Sequence, residues 1–247
     1  MNIASLVAGS RLVAQERSVQ VTSMNLANAS TPGFQASRVQ FSDWLSPQTG
    51  AGVLPGENRI AYTQDRATWR EARQGTLTQT GNPFDFALRN GGYFTVDTPR
   101  GPRLTRDGRF GPLPDGTIGD SAGHALLDNN GKPLRISPGD TRIVVTADGA
   151  IASENGPLGK IGVVKPDDPM KLQAEGDTFF RAETSTVQMD KPAVVQGAIE
   201  GSNVEPVIEI TRMMTDLRDY QFTTQLVQAE DDRIQATIDK VLGRNNG

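Results

Sequence analysis

His124 is the sole histidine, and none of the 247 residues is cysteine. That removes thiolate zinc sites, cysteine nucleophiles, disulfide frameworks and metal sites built on paired histidines. Asp120 and Ser121 stand close to His124, but sequence neighbours do not make a triad, and no nucleophile-elbow or phosphate-binding glycine motif accompanies them. Asp128-Asn129-Asn130-Gly131 has the opening of a calcium loop, yet Pro133 stands where an EF-hand loop needs glycine, so the segment reads as a turn. Carboxylates are plentiful, but nothing fixes two of them at a separation suited to a secreted hydrolase. A β-rich binding module would want clustered aromatics, and Trp44 and Trp69 lie far apart in sequence. Asn28-Ala29-Ser30 fits the glycosylation pattern but falls at a predicted helix end. No catalytic, cofactor-binding or metal-ligating residue is predicted, and the chain is not expected to be an enzyme.

The composition points the same way. Lys and Arg number 25 against 29 Asp and Glu, a net charge of -4. That is the wrong sign for neutralising phosphates, so no nucleic-acid partner is expected. No apolar window approaches the length of a membrane span, so no transmembrane segment is expected either. The first ten residues contain neither Lys nor Arg, and the apolar run from Ile3 to Ala8 is too short for a cleaved secretory signal. The absence of cysteine points mildly toward oxidising surroundings, against what the missing signal suggests.

Glycine divides the chain. Fourteen glycines lie between Gly81 and Gly159, and none between Ser202 and Leu242. In the middle, short runs such as Phe84 to Leu88, Tyr93 to Val96, Arg142 to Thr146 and Lys160 to Val164 alternate with turn signals. Asp107-Gly108, Asp115-Gly116, Asn130-Gly131, Asp148-Gly149 and Asn155-Gly156 are pairs that supply the positive φ of tight hairpins. The pattern predicts an antiparallel, hairpin-rich β domain over 81–200.

The segment 201–247 predicts a helix. With Asn203 as cap, Pro206 falls in the first turn, Ser202 and Glu205 fit a capping box, and Lys240, Gly243 and Arg244 mark the far end. Stepping by three and four from Ile210 gives Met213, Leu217, Tyr220, Thr224, Val227, Asp231, Ile234, Ile238 and Val241, eight apolar residues in ten. Such a helix extends for about 60 Å. Its heptad seam suits a coiled coil, the plainer alternative being a long helix lying on its own β domain.

The N-terminal segment 1–34 also predicts a helix, from Ile3 to Ala29, stopped by Pro32-Gly33. Its apolar residues follow no single seam; the phase through Ile3, Leu6, Val13, Met24 and Ala27 is no better than two others. Residues 1–40 carry a net charge of plus two and residues 200–247 one of minus four. An extended connector is expected over 35–80. The class is therefore α+β, with terminal helices in a coiled-coil-like domain around a central β domain. A β domain cannot cover helices of this length, so an assembly is expected.

Three stretches resemble a known family. Asn25-Leu26-Ala27-Asn28-Ala29-Ser30-Thr31-Pro32-Gly33-Phe34 is similar to the N-terminal signature of the flagellar rod and hook proteins, the bacterial axial family. Gly201-Ser202-Asn203-Val204 and the helix through Met213 and Tyr220 resemble its C-terminal signature. Gly92-Tyr93-Phe94-Thr95-Val96 and Leu104-Thr105-Arg106-Asp107-Gly108-Arg109-Phe110 resemble its β-domain motif. Gln35 departs from a common Lys and Leu104 from a common Tyr. The length suits the two middle-sized rod members, with 201–207 and the connection between Gln35 and Tyr62 closer to the proximal one.

The resemblance implies a structural rod subunit whose terminal helices pack into a hollow helical tube. That tube passes exported subunits outward and transmits torque. It implies other rod proteins, copies of the chain and the flagellar export apparatus as partners, and a place in the periplasmic part of the basal body, reached without a cleaved signal. The subunit-packing residues it implies are Asn25, Leu26, Asn28, Gly33, Phe34, Ser202, Asn203, Val204, Ile210, Met213, Leu217, Tyr220, Val227 and Ile234, with Phe34 turned against a neighbouring subunit.

Overall fold

The computed structural model describes residues 3–47, 59–137, 139–140, 142–176 and 178–243. Arg244 lies outside the described residues, as do the side chains of Trp44 and Val241. Contacts divide the chain into two units, Met1–Leu26, Ser37–Trp69 and Glu205–Gly247 in one, Ala27–Ala36 and Arg70–Val204 in the other.

The first unit holds the helices α1, Ile3–Ala27, and α2, Pro206–Gly243, with the paired strands Ser37–Pro47 and Arg59–Arg70. Ser18 Oγ donates to Asp216 at 2.7 Å, Ser23 Oγ to Met213 Sδ at 3.7 Å and Asn25 Nδ2 to Glu209 at 3.0 Å. The numbers rise on α1 as they fall on α2, so the helices run antiparallel. Among the described side chains of α1 the buried ones are Ala14, Val21, Thr22 and Asn25, which share one helical face with Ser18. Three of those five are polar, so no count of apolar residues could find this face, and Val13 points to solvent.

α2 is similar. Glu209 and Thr223 are buried, and Met213, Asp216, Val227 and Ile234 half-buried, whereas Ile210, Leu217 and Tyr220 of the expected seam are exposed. The inward face is rotated from that seam toward polar residues. The N-terminus of α2 also differs from expectation. Pro206 is its first residue, and the Glu205 carbonyl accepts the N–H groups of Ile208 and Glu209. Asn203 therefore does not cap, and Ser202 Oγ accepts the Val204 N–H, at 3.2 Å, in place of a capping box. At the far end the helix includes Gly243.

The second unit is built on antiparallel hairpins. Tyr93–Thr98 pairs with Gly101–Thr105, which pairs with Phe179–Ala182, which pairs with Leu172–Glu175. On its other side Tyr93–Thr98 meets Ala125–Leu126 and Val163–Pro166. A smaller sheet joins Ile143–Val145, Ala150–Ser153 and Gly156–Lys160. Phe86, Leu88, Phe94, Val96, Phe110, Ile118, Leu126, Ile151, Ile161 and Val163 form the core. Gly116, Gly131, Gly149 and Gly156 take the positive φ their turn pairs predict. Gly108 does not; a Cβ there would stand 1.6 Å from the Phe86 carbonyl oxygen, so this glycine serves close approach between two backbones. The strands Leu77–Gln79 and Phe86–Leu88 pair with Ala198–Glu200 and Val194–Gln196, which brings the end of the β unit back beside its beginning.

Candidate functional site

In the helical unit the arrangement centres on Asn25. Its Oδ1 accepts the Ser37 N–H at 2.8 Å, and its Nδ2 donates to the Ser37 carbonyl at 2.9 Å and to Glu209 Oε2. One side chain thus satisfies both backbone groups of Ser37 and ties strand to helix. Glu209, 1% exposed, also receives Arg38 at 2.7 Å and Arg212 at 2.9 Å. A buried carboxylate in the first turn of α2 is held by two guanidinium groups, an amide and the positive end of the helix dipole.

In the β unit a second asparagine does comparable work. Asn203 Oδ1 accepts the Ala36 N–H at 2.7 Å, and Nδ2 donates to the carbonyls of Glu71 and Arg73, both at 2.8 Å. It serves three backbone groups. Beside it Phe34, 1% exposed, packs with Ala36 and Val204 under the Arg70 guanidinium, whose carbon lies 4.8 Å from the ring centroid. Burial of that ring is worth about 2–3 kcal/mol. Gly33 has φ +67°, its N–H donates to the Glu200 carbonyl at 2.8 Å, and a Cβ there would stand 2.2 Å from the Asp107 nitrogen. Phe34 is therefore buried within its own chain. The Gly33 turn exists because the backbone must pass close to Arg106 and Asp107.

Arg106 and Glu200 complete this clasp. Both are buried, with Nη1 and Oε2 3.1 Å apart, and the Arg106 guanidinium lies over the Tyr93 ring at 5.3 Å. Burial pushes the Glu200 carboxyl above the usual carboxylate range, partly opposed by Arg106 and by the Gly75 N–H. Burial likewise raises the Tyr93 hydroxyl, which donates to Gln35 Oε1 at 3.1 Å. The stretches 25–34, 92–110 and 201–204 singled out by resemblance thus contribute to one network, through Gly33 and Phe34, Tyr93 and Arg106, and Asn203 and Val204.

The remaining expected residues divide by exposure. Leu26 and Asn28 are half-buried; Asn28 Oδ1 accepts the Thr31 hydroxyl at 3.0 Å. Outward on α2 stand Ile210, Leu217 and Tyr220, joined by Val207 at 77%, Phe222 at 69%, Leu226 at 56% and Met214 at 49% exposed. Sequence stepping missed that second group, since it lies off the seam. It also missed the Glu209–Arg38 and Glu200–Arg106 ion pairs, whose partners lie far apart in sequence. His124 belongs to a turn: Asp120 accepts its backbone N–H and lies 2.9 Å from Nδ1, and its ring stands edge-on to Phe179. Among the described residues no group of three metal-ligating side chains occurs, and no helix is long and apolar enough to cross a membrane.

Comparison with known proteins gives this geometry a context. The family described as flagella basal body rod protein matches residues 6–35, and that described as flagellar basal body rod FlgEFG protein C-terminal matches 195–240. The flagellar basal-body rod protein FlgF of Caulobacter vibrioides is 31% identical over 249 residues, covering 100% of both chains. The chain belongs to the flagellar basal-body rod protein family. FlgF of Mesorhizobium japonicum is 33% identical over 90% of each chain. FlgG of Caulobacter vibrioides is 28% identical over 93% of this chain and 96% of its own. The rod family is structural, and this member is no enzyme; its two asparagine ties are architecture. The family matches cover most of both helices and both asparagines, Asn25 and Asn203.

Proposed function

We propose that this rod protein is a FlgF-type subunit of the proximal, periplasmic rod. Its terminal segments 1–34 and 201–247 pack against other rod proteins and copies of itself, in coiled-coil-like contacts, to make a hollow helical tube. Later subunits pass through that tube and torque passes along it. The chain itself leaves through the flagellar export apparatus without a cleaved signal. The observation that carries the reading is the outward face of α2. A 38-residue helix presents Val207, Ile210, Met214, Leu217, Tyr220, Phe222 and Leu226 to solvent. That much apolar surface on one element belongs against protein.

Subunit packing falls in this reading to those residues together with Met213, Val227, Ile234 and Leu26. Asn25, Asn28, Gly33, Phe34, Ser202, Asn203 and Val204 hold the segments from which the helices spring. The FlgF type is favoured by relatives of that name at 31% and 33% identity against 28% for the FlgG relative.

Leu217→Asp and Phe222→Asp test the assembly. Both sites are open to solvent, so circular dichroism of the purified variants should match the parent, while rods isolated from cells carrying either variant should lack the protein and the cells should not swim. Intact basal bodies with normal motility would overturn the reading. For the type, the gene should restore rods to a strain lacking FlgF and not to one lacking FlgG; the reverse result assigns the distal rod.

A further inference from the structure

Glu175, the last residue of the strand Leu172–Glu175, receives three guanidinium groups. Arg103 Nε and Nη2 donate to its two oxygens at 2.9 and 3.4 Å, Arg181 Nε lies at 3.4 Å and Arg100 Nη1 at 3.5 Å. The Arg103 hydrogen bond holds the Glu175 carboxyl below the usual range, with Arg100 and Arg181 adding to the effect. Three cations share one anion, a local surplus of positive charge in a chain of net charge -4. The register sets Phe179 against Thr105 and Phe180 against Leu104. One step on, Arg181 falls opposite Arg103, and like charges facing each other across a ladder are destabilising. Arg103 is buried, but the Arg100 and Arg181 side chains are 79% and 51% exposed. Each guanidinium has five donors, so each keeps some for a further carboxylate.

The sheet ends at the same place. Leu172–Glu175 pairs with Phe179–Ala182 on one side and, among the described residues, with no strand on the other; Gln173 and Ala174 are exposed. An open edge accepts an added strand through its backbone, and side-chain charge selects which strand. A cationic edge rejects basic segments and attracts acidic ones.

We propose that this edge docks an extended acidic segment of another polypeptide. The segment's backbone adds to Leu172–Glu175, and its carboxylates pair with Arg100 and Arg181. The arginine fork suits such pairing, since it can meet a carboxylate through two parallel hydrogen bonds.

The test uses the full chain and three short fluorescent peptides. One alternates Glu and Val, the second carries Gln for Glu, and the third is the acidic peptide N-methylated at alternate residues. Fluorescence anisotropy should show binding of the unmethylated acidic peptide alone, weakening as salt rises. Arg100→Glu with Arg181→Glu should weaken it by roughly tenfold or more without changing the circular dichroism. Failure of the acidic peptide to bind overturns the proposal, as does equal binding of the Gln peptide or equal binding by the double variant. Equal binding of the methylated peptide reduces the site to plain ion attraction and overturns strand addition.

Discussion

One amide group at Asn203 serves three backbone groups, and the arithmetic of its loss is direct. Asn203→Ala removes the bond to the buried Ala36 N–H and those to the half-buried carbonyls of Glu71 and Arg73. At about 1 kcal/mol per bond plus part of the desolvation cost, it should lower the unfolding free energy by about 3 kcal/mol or more, read from urea denaturation. Asn203→Asp should be worse, since it sets a carboxylate oxygen against two carbonyls. Glu200 gives a pH prediction. Its folded value lies above the unfolded one, so its favourable contribution is complete below the ordinary carboxylate pKa and is lost as pH rises through the raised folded value. The pH dependence of stability in the parent, compared with that of Glu200→Gln, should show a fall with rising pH confined to that window. A difference that is flat across it contradicts a buried, raised carboxyl. Asp115 and Asp148, held low by hydrogen bonds from Thr117 and Thr146, act in the opposite direction in both proteins and cancel in the comparison.

At the scale of elements, α2 is tied down mainly near its start. Glu209, Met213 and Asp216 bond to α1 or to Arg38, and beyond Thr223 the described bonds of α2 stay within the helix. Trypsin acting on the monomer should therefore cut after Arg233 and Arg218 before it cuts after Arg38 or Arg106, with the order read by mass spectrometry. Early cleavage at Arg106 would contradict it. Both helices and most of the hairpins were legible in the sequence, because helix length and Asp-Gly or Asn-Gly turns are local signals. What the helices turn inward was not legible. Ser18, Thr22, Asn25, Glu209, Asp216 and Thr223 count as polar in any periodicity, and their burial depends on partners far away in sequence. Gly33 and Gly108 were visible as turn residues, but their close contacts with Asp107 and Phe86 could come only from the fold.

For the molecule as a whole, the two asparagine ties belong to different units. Asn25 bonds within the helical unit and Asn203 within the β unit. Asn25→Ala should then raise hydrogen exchange across α1, α2 and the strand Ser37–Pro47 while leaving Tyr93–Thr98 and Val163–Pro166 protected; Asn203→Ala should do the reverse. Uniform loss of protection in either variant would mean that the units unfold as one. The chain passes from one unit to the other after residues 26, 36, 69 and 204. Here the chain crosses four times, so a single cut at any one crossing still leaves the units covalently joined through the other three.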